Sequence, residues 1–116
     1  MSNIIDISSK ITNQLPIVKI TDSIVATVNN RKSTILNMQL MIKEQEKKSK
    51  KNNEEYDELA FMEKVIAMLT SKALVDSINE LDLPLPEYKM VYHAIMAAAT
   101  GQSLEEVEES EKRFQG

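Results

Sequence analysis

Between Leu59 and Ile78 apolar residues return at steps of three and four, and this spacing constrains the fold more than any other feature of the chain. Leu59, Met62, Val65, Ile66 and Leu69 fall on one helical face, and Phe61 and Met68 widen it. Leu74, Val75 and Ile78 resume the pattern, so it predicts a helix over about 55–80 with a candidate break at Thr70-Ser71. A second stripe of Tyr88, Val91, Tyr92, Ile95, Ala98 and Ala99 predicts a helix over 86–100. Ala94, Ala97, Ala98 and Ala99 leave room there for a close neighbour. The connector is Leu83-Pro84-Leu85-Pro86, where each proline holds the preceding leucine extended. Pro86 suits the first position of the next helix, and Gly101 suits its C-terminal cap.

The segments on either side complete the layout. Residues 16–28 read as β: Ile17-Val18-Lys19-Ile20-Thr21, a turn at Asp22-Ser23, then Ile24-Val25-Ala26-Thr27-Val28. Asn29-Asn30 tolerates a tight turn, and a return strand through Thr34 and Ile35 is one continuation. The other is a helix capped by Ser33 or Thr34 and running over about 33–50. Ile35, Leu36, Met38, Leu40, Met41 and Ile42 would cover most of its surface, so part of that surface should meet something else. The stretch 43–51 carries five lysines, and Glu54, Glu55, Asp57 and Glu58 follow. Basic residues at one helix end and acidic residues at the next helix start both complement the helix dipole. That favours a solvated helix junction over a nucleic-acid patch, since no aromatic residue interleaves the lysines. Ser103-Leu104-Glu105-Glu106 matches a capping box and predicts a last helix over 103–114. Five glutamates make one of its faces acidic, and Leu104, Val107 and Phe114 lie on the other. Residues 1–14, with Ile4, Ile5, Ile7 and Ile11, read as a tail or a short pairing strand. The expected fold is therefore mainly α, class α+β. About four helices and a short N-terminal β-hairpin form one α-rich domain over 15–116.

Composition narrows the function. At 116 residues the chain suits one domain. Aromatic residues make up 4% against 42% hydrophobic overall, so the core must be aliphatic and methionine-bearing. The absence of cysteine removes disulfides, thiol nucleophiles and thiolate metal sites. A net charge of −4 disfavours general nucleic-acid binding. No apolar run is long enough for a membrane span, and the N-terminus lacks the pattern of a secretory signal.

The chemistry needed by an enzyme does not assemble from these residues. His93 is the single histidine and sits beside the stripe of the 86–100 helix, a poor start for a zinc site. Two glycines, Gly101 and Gly116, cannot build a phosphate-cradling loop. Asp76, Glu80 and Asp82 read as helix-surface acids, and no serine or threonine has a base at a recognisable spacing. The expectation is a binding protein with no enzymatic activity, no cofactor and no metal.

Three local cues carry a resemblance over about 17–114. They are Val-Asn-Asn-Arg-Lys-Ser-Thr at 28–34 feeding a helix, Asn-Glu-Leu-Asp-Leu-Pro-Leu-Pro-Glu-Tyr at 79–88, and Met-Ala-Ala-Ala-Thr-Gly at 96–101 before a Glu-rich end closing on Arg113-Phe114. With them the chain resembles the tail assembly chaperones of long-tailed bacteriophages and prophages of Gram-positive hosts. The resemblance implies an adaptor that binds the tape measure protein in the bacterial host cytoplasm while the tail tube polymerises, and that is absent from the mature virion. It also implies association with itself and with a longer frameshifted form. Methionine-bearing surfaces adapt to varied apolar partners. Periodicity then nominates Met38, Met41, Ile42, Met62, Met68, Met90, Met96, Leu104, Val107 and Phe114 as partner-binding. Two other readings stay open: a small DNA-binding or antitoxin-type regulator using the 43–51 lysines, and a minor structural tail protein.

Overall fold

The computed structural model describes residues 3–52 and 58–102; the side chains of 49–52 and the expected helix over 103–114 lie outside what it describes. Its elements are β1 (Ile17–Lys19), β2 (Val25–Thr27), α1 (Lys32–Asn52), α2 (Glu58–Leu69), α3 (Lys72–Leu81) and α4 (Leu85–Thr100). The class is mainly α with a small antiparallel hairpin at the N-terminal side, as the sequence implies.

The hairpin pairs Ile17 with Thr27, Val18 with Ala26 and Lys19 with Val25. Thr21 builds its turn: the Oγ1 accepts the Ser23 and Ile24 N–H groups at 3.3 and 3.0 Å. Alternation along the strands separates two faces. Ala26 and Val28 are buried, and Val18 and Ile20 pack partly buried against the same core. Ile17, Lys19, Val25 and Thr27 face out.

No return strand follows β2. The Asn29 Oδ1 accepts the Arg31 N–H at 3.1 Å, which turns the chain into α1. The first helical bond runs from the Ile35 N–H to the Arg31 carbonyl at 3.0 Å, so Ser33 and Thr34 lie inside the first turn and do not cap it. Helix α1 puts Met38 inside and Ile35, Met41 and Ile42 against the core, leaving Leu36 and Leu40 exposed. Lys43, Lys47 and Lys48 are solvated.

The single helix expected over 55–80 is two helices. A continuous helix would direct the Leu69 carbonyl to the Ala73 N–H. Here that carbonyl accepts the Asn29 N–H at 2.7 Å, from the end of the hairpin. Thr70 closes α2 by donating its hydroxyl to the Ile66 carbonyl at 2.6 Å. Ser71 is extended (φ −163°) and caps α3 through its Oγ, which accepts the Leu74 N–H at 3.1 Å. Asp82 ends α3 in the left-handed region (φ 48°).

Helix α4 begins at Leu85, one residue earlier than the sequence suggests, with Pro84 at the cap position and Pro86 in the first turn. The Pro84 carbonyl accepts the Glu87 and Tyr88 N–H groups, each at 3.0 Å. Gly101 closes the helix at φ 76°, its N–H on the Ala97 carbonyl at 3.0 Å. Glycine is the residue that adopts this conformation without a steric cost.

Helix α2 is central and packs on α1, α3 and α4, while β1 packs on α4. One cluster holds the described elements together: Val28, Met38, Met62, Val65, Ile66, Leu69, Val75, Ile78, Tyr92, Ile95 and Ala99. No side-chain nitrogen or oxygen buried among the described residues lacks a hydrogen-bond partner.

Candidate partner-binding groove

The connector between α3 and α4 creates an apolar surface that the helices do not cover. Pro84 separates α3 from α4, so Leu83 lies between the two helices and Leu85 opens the second. Leu85 therefore stands 49% exposed where α4 starts. Leu59, one turn before the buried Met62, is 46% exposed at the start of α2. Together with Ala60, Ile78, Leu83 and Tyr88 these leucines line an open groove of about 570 Å³ between α2, the end of α3 and the start of α4.

Carboxylates occur in the groove lining and basic side chains do not. Glu63, Asn79 and Asp82 complete it, and the Asn79 Nδ2 donates to the Glu63 Oε1 at 3.4 Å. Burial raises the Tyr88 phenol above its ordinary pKa, and the nearby Glu63 carboxylate adds to the rise. Lys89 lies close by, 4.0 Å from Glu58 across α2 and α4. An aliphatic floor with an anionic rim suits an apolar helical stripe flanked by lysine or arginine.

None of the described residues nominated by periodicity lines this groove. Met38 and Met62 are each 2% exposed and belong to the core. With so few aromatic rings, flexible thioethers fill the central volume. Met41, Ile42, Met68 and Met96 are partly buried and pack against that core. Met90 is 56% exposed on α4, outside the groove. Leu104, Val107 and Phe114 lie outside the described residues.

The leucines of Leu-Pro-Leu-Pro are the groove residues that periodicity missed. A signal was present: Leu83 precedes the helix and Leu85 only opens it, so neither sits within a helical stripe of spaced apolar residues. Among the described residues no three His, Asp or Glu side chains converge as a metal ion requires. The His93 ring lies against Tyr92, with centroids 5.6 Å apart. No described helix is long and apolar enough to cross a membrane. Comparison of the chain with protein-family models, curated proteins and solved structures finds no match.

Proposed function

We propose that this chain is a tail assembly chaperone of a long-tailed phage or prophage, which binds the tape measure protein and keeps it soluble while the tail assembles. The leucine-lined groove with its acidic rim carries the reading. A long helical protein waiting for its tube exposes apolar stripes, and uncovered stripes of that kind aggregate. Such a groove would cover a short length of that helix, and further chaperone copies along it would cover the rest. The anionic rim would pair with basic residues flanking the stripe, and the chain's net charge of −4 favours solubility. The protein would act in the bacterial host cytoplasm, without cofactor or catalysis, and leave before the virion is complete.

The test is co-expression with the large helical protein encoded downstream. The expected outcome is a tape measure protein found in the soluble fraction only with this chain, and co-eluting with it. Equal insolubility with and without the chain removes the reading. Mass spectrometry of purified virions separates a chaperone, which is absent, from a structural tail protein, which is retained in stoichiometric amount.

A further inference from the structure

The leucine groove suits an exposed apolar helical stripe with cations beside it, and the chain carries such a stripe. On α1, Leu36 and Leu40 are 49 and 60% exposed. Lys43 and Lys47 follow at the next steps of three and four, and both are exposed. At about 3.6 residues per turn these four side chains fall within roughly 60° of helix surface, on an arc centred almost opposite Met38. Lys32, one turn before Leu36, is also exposed on that side. Two leucines thus have a lysine before them and two lysines after them. Met38 is buried and ties the other side of α1 to the core.

Charge and direction choose among the segments that could enter the groove. The groove lining holds Glu63 and Asp82 and no basic side chain. Residues 53–57 hold Glu54, Glu55 and Asp57, and residues 103–116 hold five glutamates against Lys112 and Arg113. Like charge disfavours both at an anionic rim. The exposed Ile4, Ile5 and Ile7 have Asp6 among them. Lys19, on the outer face of the hairpin with Ile17 and Val25, is already paired with Asp22 at 3.2 Å. The α1 stripe has the right charge, but a copy cannot place it in its own groove. It points away from the body against which Met38 is packed.

We infer that α1 of a second copy seats Leu36 and Leu40 on the leucine floor of the groove, with Lys43 and Lys47 toward the Glu63 and Asp82 carboxylates. The contact joins two different surfaces, so it is head-to-tail. It needs only the open groove, and holds whether or not the groove's eventual partner is a tape measure protein. A partner stripe entering the groove displaces α1, so the free chain covers its own apolar surfaces until that partner arrives.

Light scattering of the purified full chain over a range of concentrations tests this, with Leu40→Glu and Leu85→Glu variants beside it. The first change spoils the stripe and the second the floor, and unchanged helical circular dichroism shows that each variant still folds. The parent is expected to gain mass with concentration. Each variant alone is expected to associate at least about tenfold more weakly, because a carboxylate enters an apolar contact. Mixing the two variants leaves one intact stripe and one intact groove, so the mixture is expected to recover a dimer and nothing larger. A monomeric parent overturns the inference and leaves the stripe to another protein or to the chain's own acidic C-terminal end. Association that survives either variant also overturns it, since a stripe-to-stripe contact would survive Leu85→Glu. So does a mixture that stays monomeric. None of these outcomes decides the co-expression test, which reads the groove against a different protein.

Discussion

Individual side chains divide sharply by where the core reaches them. Ile66 is 1% exposed at the centre of α2, whereas Leu40 is 60% exposed on α1. Ile66→Ala should lower the unfolding free energy by about 2–5 kcal/mol, the usual cost of lost burial plus a cavity. Leu40→Ala should change it by less than about 1 kcal/mol, since little burial is lost. Urea titration of both variants checks the contrast. Tyr88 makes a prediction about pH. Its folded pKa is raised above the ordinary value of 10.0. Below that pH the phenol is protonated in both states and favours neither. As pH rises past it, the unfolded chain loses its proton first, so stability declines until the folded phenol also ionises. Tyr88→Phe keeps the ring and should remove that part of the alkaline decline, read as unfolding free energy against pH.

At the scale of elements, two caps and one shared carbonyl set the boundaries. Ser71→Ala removes the oxygen that accepts the Leu74 N–H, and should cost about 1 kcal/mol in stability. Gly101→Ala should cost about 1 kcal/mol, and its cause is backbone conformation: a Cβ at Gly101 meets nothing within 4 Å, but φ is 76°. Thermal unfolding of the two variants tests both figures. Stopping α4 at Gly101 was legible from one glycine, and the Pro84-to-Pro86 start was legible to within a residue. The split of the 55–80 run was legible only as a weak point. Serine and threonine are tolerated inside helices, and their capping role appears only when a neighbour takes the carbonyls. That neighbour is Asn29, some forty residues earlier in the chain.

Among the described residues, one central helix organises three others and leaves Leu59 and Leu85 half exposed. Leu85→Glu should leave the helical content and urea midpoint close to those of the parent, since Leu85 is half exposed. The same change places a carboxylate among Glu63 and Asp82 on an apolar floor and should abolish recovery of soluble tape measure protein in co-expression. A stable variant that still solubilises it would show that the groove is not the binding surface. The methionines show why the site was harder to read than the fold. Periodicity tells which face of a helix is apolar, and Met38 and Met62 do lie on such faces. It does not tell whether a neighbouring helix or an external partner covers that face.

By itself the sequence determined the helical character, the hairpin and most of the core. Those features follow from spacing, branched residues, proline and glycine acting within a few residues of themselves. The tertiary structure decided the rest. It split the long apolar run by drawing the Leu69 carbonyl toward the hairpin. It buried two methionines by packing α1 against α2, and it left Leu59 and Leu85 half exposed in the lining of one open groove. The physical reason is range. Local conformational preferences are encoded near the residue that shows them, whereas burial is a contest among all apolar surfaces for one limited interior.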